Sequence, residues 1–98
     1  MSVTCGILAV LEAKSGKGDE LREFLAAART VAVAETGTVT WYAFKLTDTT
    51  YGIFDTFATD GGREAHLNGQ IPAELGKVAN DLLAKAPDIR PVDIVAVK

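Results

Sequence analysis

Four residues of this chain could act together on one small molecule: Trp41, Asp55, Phe57 and His66. His66 is the sole histidine, and an imidazole titrates near neutral pH. It could donate to a substrate oxygen or take a phenolic proton. Asp55 could orient that imidazole or hold the polar point of a ligand. Trp41 and Phe57 could wall an apolar slot for a flat aromatic ring. Asp55 and His66 are therefore the candidate catalytic residues, and Trp41 and Phe57 the candidate substrate-binding ones. Each also has a plainer role. The histidine could cap the sheet edge or bond a backbone carbonyl, the aromatics could be core or dimer packing, and Asp55 could meet an arginine or the backbone.

The elements that must position these residues follow from periodicity. The segment from Val3 to Ala13 is apolar on both parities, as a strand buried on both faces is. KSGKG at 14–18 is a loop by composition. From Asp19 to Glu35, Leu21, Phe24, Leu25, Ala28 and Ala32 keep helical spacing, and Gly37 is a natural stop. Thr38–Leu46 and Tyr51–Thr59 are rich in Thr, Val and aromatics and read as strands. The short TDTT between them predicts an antiparallel hairpin. Arg63–Asn68 is a short helix after the Asp60-Gly61-Gly62 break. A further helix with Pro72 in its first turn carries Ile71, Leu75, Val78, Ala79 and Leu82 and ends at Ala86-Pro87. Val92–Val97 is expected as the last strand, with Pro91 just before it.

The order β-α-β-β-α-α-β predicts an α+β, ferredoxin-like split βαβ fold. Helices would cover one face of a four-stranded antiparallel sheet. Its 98 residues suit a single domain, residues 1–98. The central strands are apolar on the other face too, so a symmetric homodimer with two sheets face to face is expected.

Composition sets several classes aside. Charged residues make up 23% and the net charge is −3, without a basic run, which argues against nucleic acid. A lone cysteine, Cys5, forms no intrachain disulfide and reads as a small buried hydrophobe. One His and one Cys, distant in sequence, give no metal signature. The apolar run Cys5–Leu11 is too short to span a bilayer, and the N-terminus is a poor signal peptide. A cytoplasmic protein that binds no membrane is expected.

Two segments carry a family resemblance. Glu35-Thr36-Gly37 is followed four residues later by Trp41. Asp55-Thr56-Phe57 is followed, after a turn, by Ala65-His66-Leu67. Both resemble signatures of the antibiotic biosynthesis monooxygenase (ABM) family, which includes quinol monooxygenases, and the likeness of element order covers nearly the whole chain. Phe57 stands where that signature usually has tryptophan, and Asp55 where it has glutamate. The segment after His66-Leu67 also departs from the family pattern. The resemblance implies a dimeric α+β barrel. It also implies a cofactor-independent monooxygenase that oxidises a polycyclic phenol or hydroquinone with dioxygen, without flavin, haem or metal. His66 would be the acid/base, Asp55 would orient it or the substrate, and Trp41 and Phe57 would clamp the ring. Two other functions remain open on the same fold: a non-catalytic dimeric binding or stress-response module, and an isomerase- or cyclase-like role on a polyketide-type substrate.

Overall fold

The computed structural model describes residues 2–98. Its elements in chain order are β1 (Cys5–Glu12), α1 (Gly18–Ala34), β2 (Thr38–Lys45), β3 (Thr50–Phe57), α2 (Asp60–Leu67), α3 (Gln70–Leu82) and β4 (Asp88–Asp93). The strands form one sheet in the order β2-β3-β1-β4, with every neighbouring pair antiparallel. This is the ferredoxin-like α+β architecture that the element order predicts. Among the described residues, no helix is long and apolar enough to cross a membrane.

The register assigns the two faces. Ile7 pairs with Asp55, and Asp55 pairs with Trp41, so these three side chains share one face. Cys5, Ala9 and Leu11 lie on it from β1, and Tyr51, Ile53 and Phe57 from β3; all are buried. On α1, Leu21, Leu25, Ala28 and Ala32 are the buried stripe, and on α3 Ile71, Leu75 and Leu82. Their i, i+3, i+4 spacing is what brings helix stripes onto the sheet. The opposite face carries Leu8, Val10, Tyr42, Phe44 and Phe54, with no helix over it. Gly52 lies on that face beside the Phe44 ring, which occupies the space a Cβ would need.

Three boundaries differ from the sequence-based expectation. The last strand is Asp88–Asp93 rather than Val92–Val97. Pro91 lies within it, opposite Ile7. An edge strand tolerates this, since a proline there need not break the ladder. The most β-branched residues form instead the chain end, where Ile94 N–H still bonds Thr4 O at 3.0 Å. The α3 helix stops at Leu82, before Ala86-Pro87, because Leu83 bridges to Ala13 and Ala84 N–H bonds Glu12 O at 2.8 Å. The α2 helix begins at Asp60, because the Thr59 hydroxyl caps it by accepting from Gly62 N–H at 3.0 Å. The Gly61-Gly62 pair therefore opens the helix as well as ending the strand.

Candidate functional site

The three elements around His66 meet because each ends there. The α1 helix stops at Glu35, whose backbone turns extended. The α2 helix runs from its Thr59 cap to Leu67, which puts His66 in its last turn facing the sheet. Asp55 points up from β3 into the same space. A carboxylate at the C-terminal end of α1 opposes the helix dipole, and that helix has no basic residue in its last turn. His66 supplies the missing cation.

The result is a row of three ionisable groups. Glu35 Oε1 lies 2.7 Å from His66 Nδ1, and Asp55 Oδ2 lies 2.9 Å from His66 Nε2. Thr38 donates its hydroxyl to the same Glu35 oxygen at 2.8 Å. Asp55 is 1% exposed and His66 7%. The Asp55 contact is close enough for an ion pair but lies off the N–H axis, and neither Asp55 carboxylate oxygen has a hydrogen-bond partner among the described residues. Burial alone would lower the His66 pKa. The contacts with Asp55 and Glu35 outweigh it and raise the pKa to about 8. At neutral pH His66 is therefore an imidazolium held between two carboxylates. The carboxylates take opposite ring nitrogens, so the three groups do not converge on one point as metal ligands would, and no metal-binding cluster occurs among the described residues.

Phe57 is 0% exposed and packs against the imidazole, with ring centroids 5.5 Å apart at 44°. It backs the histidine and presents no surface of its own. Trp41 stands opposite Asp55 across the β2–β3 pair, half-buried, and joins two clusters of the core. Its Nε1 is buried without an acceptor among the described residues. The fold thus brings Asp55, Phe57 and His66 into direct association and sets Trp41 beside them on the same face.

A cleft of about 410 Å³ opens beside this row. It is lined by Glu35, His66, Thr38, Gln70 and the backbone of Gly37, Gly62 and Gly69. Gly37 and Gly62 pack so closely that a Cβ at Gly37 would sit 3.0 Å from Gly62 Cα. Glu35 Oε2 lies over Gly69, 3.5 Å from where a Cβ would stand. Glu35 is thus the row's second carboxylate and borders the cleft, a role that the sequence-based candidate set lacks. The available signal is an uncompensated acid at the end of a helix, two residues before a glycine. Arg63, on α2, reaches back to the sheet. Its guanidinium donates to Gly6 O at 3.4 Å and to Val92 O at 3.3 Å, which pins α2 to the sheet.

The fold places the chain in a class, the ABM-like ferredoxin folds. A protein from Nitrosomonas europaea provisionally named an antibiotic biosynthesis monooxygenase superposes with a TM-score of 0.83 at 12% identity, covering 94% of this chain and 99% of that one. A similarly named Caulobacter crescentus protein gives 0.72 at 19% identity, covering 96% and 92%. More particularly, the chain belongs to the same family as a second Nitrosomonas europaea protein, of unknown function. That structure is 45% identical with a TM-score of 0.96, over 98% of this chain and 93% of that one. No protein-family model and no curated protein matches the chain.

Proposed function

We propose that this protein is a cofactor-independent monooxygenase acting on a polycyclic phenol or hydroquinone. The observation that carries this reading is the Glu35–His66–Asp55 row at the edge of a cleft. With His66 protonated, the row bears two negative charges and one positive. Glu35 and His66 both border the cleft, and Glu35, the more exposed of the two, takes the substrate proton there. The imidazolium and Asp55 behind it hold the charge balance. His66 acts as the acid/base reservoir, Asp55 orients it and Phe57 keeps its ring in place. Trp41 flanks the site from β2. The backbone of Gly37, Gly62 and Gly69 forms part of the cleft wall beside Glu35 and His66.

The chemistry balances without a cofactor. The deprotonated ring gives one electron to dioxygen, and the resulting aryloxyl and superoxide radicals combine as a carbon-bound peroxide. Loss of water from that peroxide turns a ring methylene, as in an anthrone, into a carbonyl. One oxygen atom enters the product and the other leaves as water. The substrate loses four electrons and dioxygen accepts four. The proton held on the row returns to the departing hydroxide.

The open sheet face supports a homodimer as the working form. Tyr42 is 60% exposed on it, beside Phe44 and Phe54. A second copy packed face to face would cover this patch. The lone buried thiol of Cys5 suits a reducing, cytoplasmic setting.

One observation favours a second reading. Both His66 nitrogens are engaged and its ring is nearly buried, which is what a purely structural tie between α1, β3 and α2 would show. The protein would then be a non-catalytic binding module. Oxygen uptake with an anthrone or a reduced naphthoquinone separates the two. The expected result is turnover above the uncatalysed rate that falls in Glu35→Gln and His66→Ala. No rate above background, or variants indistinguishable from the parent, would leave the binding module as the answer.

A further inference from the structure

A second concave region adjoins the histidine cleft at Thr38 and runs along the seam between α1 and the edge strand β2. The α1 helix packs on β2 and β3 but leaves part of the edge strand β2 uncovered. Ala43, on the helix side of β2, is left exposed, and Ala26 faces it from α1. Two small side chains across the seam leave a groove. Its two lobes, about 310 and 520 Å³, share Leu25, Ala26 and Ala43. The middle is apolar, and each lobe has an arginine on its wall, Arg22 in one and Arg29 in the other.

Both arginines project from α1, where seven residues at 1.5 Å each set them about 10 Å apart along the helix axis. Among the described residues neither pairs with a carboxylate, although Lys45, at the Arg22 end, pairs with Asp48 at 3.1 Å. In a chain with net charge −3, the groove thus carries two guanidiniums that no carboxylate among the described residues neutralises. Guanidinium groups match carboxylates in fork geometry, and an apolar strip between them suits a methylene chain.

We propose that this groove binds a linear aliphatic dicarboxylate, with one carboxylate at Arg22, the other at Arg29, and the methylene chain over Ala26 and Ala43. A chain whose carboxylates stand about 10 Å apart, such as decanedioate, matches the helix spacing. The groove adjoins the cleft at Thr38, but Arg22, Arg29, Ala26 and Ala43 do not line that cleft, and the proposal does not depend on the oxidation proposed there.

Titration calorimetry of the whole protein with decanedioate tests the assignment, with decanoate and 1,10-decanediol as comparison ligands. Saturable binding of decanedioate is expected, with decanoate several-fold weaker and the diol weaker still. Arg22→Ala and Arg29→Ala should each weaken decanedioate by about fivefold, as loss of one exposed ion pair does. Added salt should weaken it too. Ala26→Leu fills the groove from an exposed helix position, so it should block binding while leaving the melting temperature close to the parent's. Three results would overturn the proposal: no saturable binding at millimolar ligand, decanoate binding as tightly as decanedioate, or a folded Ala26→Leu variant that still binds.

Discussion

Glu35 Oε1 lies 2.7 Å from His66 Nδ1, which ties the end of α1 to the last turn of α2. The same ring reaches Asp55 through its other nitrogen at 2.9 Å. One imidazolium thus joins a helix end, a second helix and a central strand. Its charge state should be visible in stability as well as in activity.

The first consequence is a pH dependence with a defined sign. The His66 pKa is raised from 6.5 to about 8 in the folded protein. A raised folded-state pKa gives stability that is fully present below the unfolded value and is lost as pH rises through the folded one. Urea unfolding should therefore weaken by about 1–2 kcal/mol between the two values, the lower end reflecting solvent screening. In His66→Gln this slope should vanish. A parent protein equally stable on both sides of this window would contradict the ion-pair geometry.

Asp55→Asn keeps the shape of the side chain and removes its charge. The histidine should then titrate lower, by about one unit, because an opposite charge in contact is lost. The His66 Cε1 proton resonance followed against pH measures this directly. An unchanged midpoint would mean that Asp55 does not hold the imidazolium.

If Glu35 accepts the substrate proton, Glu35→Gln should lower kcat by about a hundredfold or more and leave KM nearly unchanged. A loss confined to KM would make Glu35 a binding group instead.

Gly6 sits in the centre of the sheet, where an added Cβ would stand 2.5 Å from the Asp55 carbonyl oxygen. Backbone cannot swing aside as a flexible side chain can. Gly6→Ala should therefore cost about 1–3 kcal/mol, read from the urea midpoint. The same change at Gly76, where nothing lies within 4 Å, should not destabilise and serves as the control. Equal midpoints for the two variants would show that β1 and β3 can part locally.

Tyr42→Lys places a charge in the centre of the open sheet face. Light scattering should show the parent as a dimer and the variant shifted toward monomer. A parent that is monomeric at micromolar concentration removes the face-to-face assembly.

The fold was legible in the sequence because its signals are local and redundant. Leu21, Leu25, Ala28 and Ala32 could be nothing but a helix stripe, and TDTT between two aromatic runs dictates a hairpin. Parity along β3 also put Asp55 and Phe57 on one side of that strand, but only the observed β2–β3 register set Trp41 beside them. The last strand was misplaced because Pro91 looks like a boundary, and whether it is one depends on β4 lying at the sheet edge. The partnership of Glu35 with His66 joins residues 31 positions apart through the meeting of two helix ends. Likewise, the exposure of Ala43 depends on how far α1 reaches across the sheet. Periodicity and residue type therefore determined the elements and their faces. The packing of those elements decided which charges meet, because separation in space, and not in sequence, sets an ion pair.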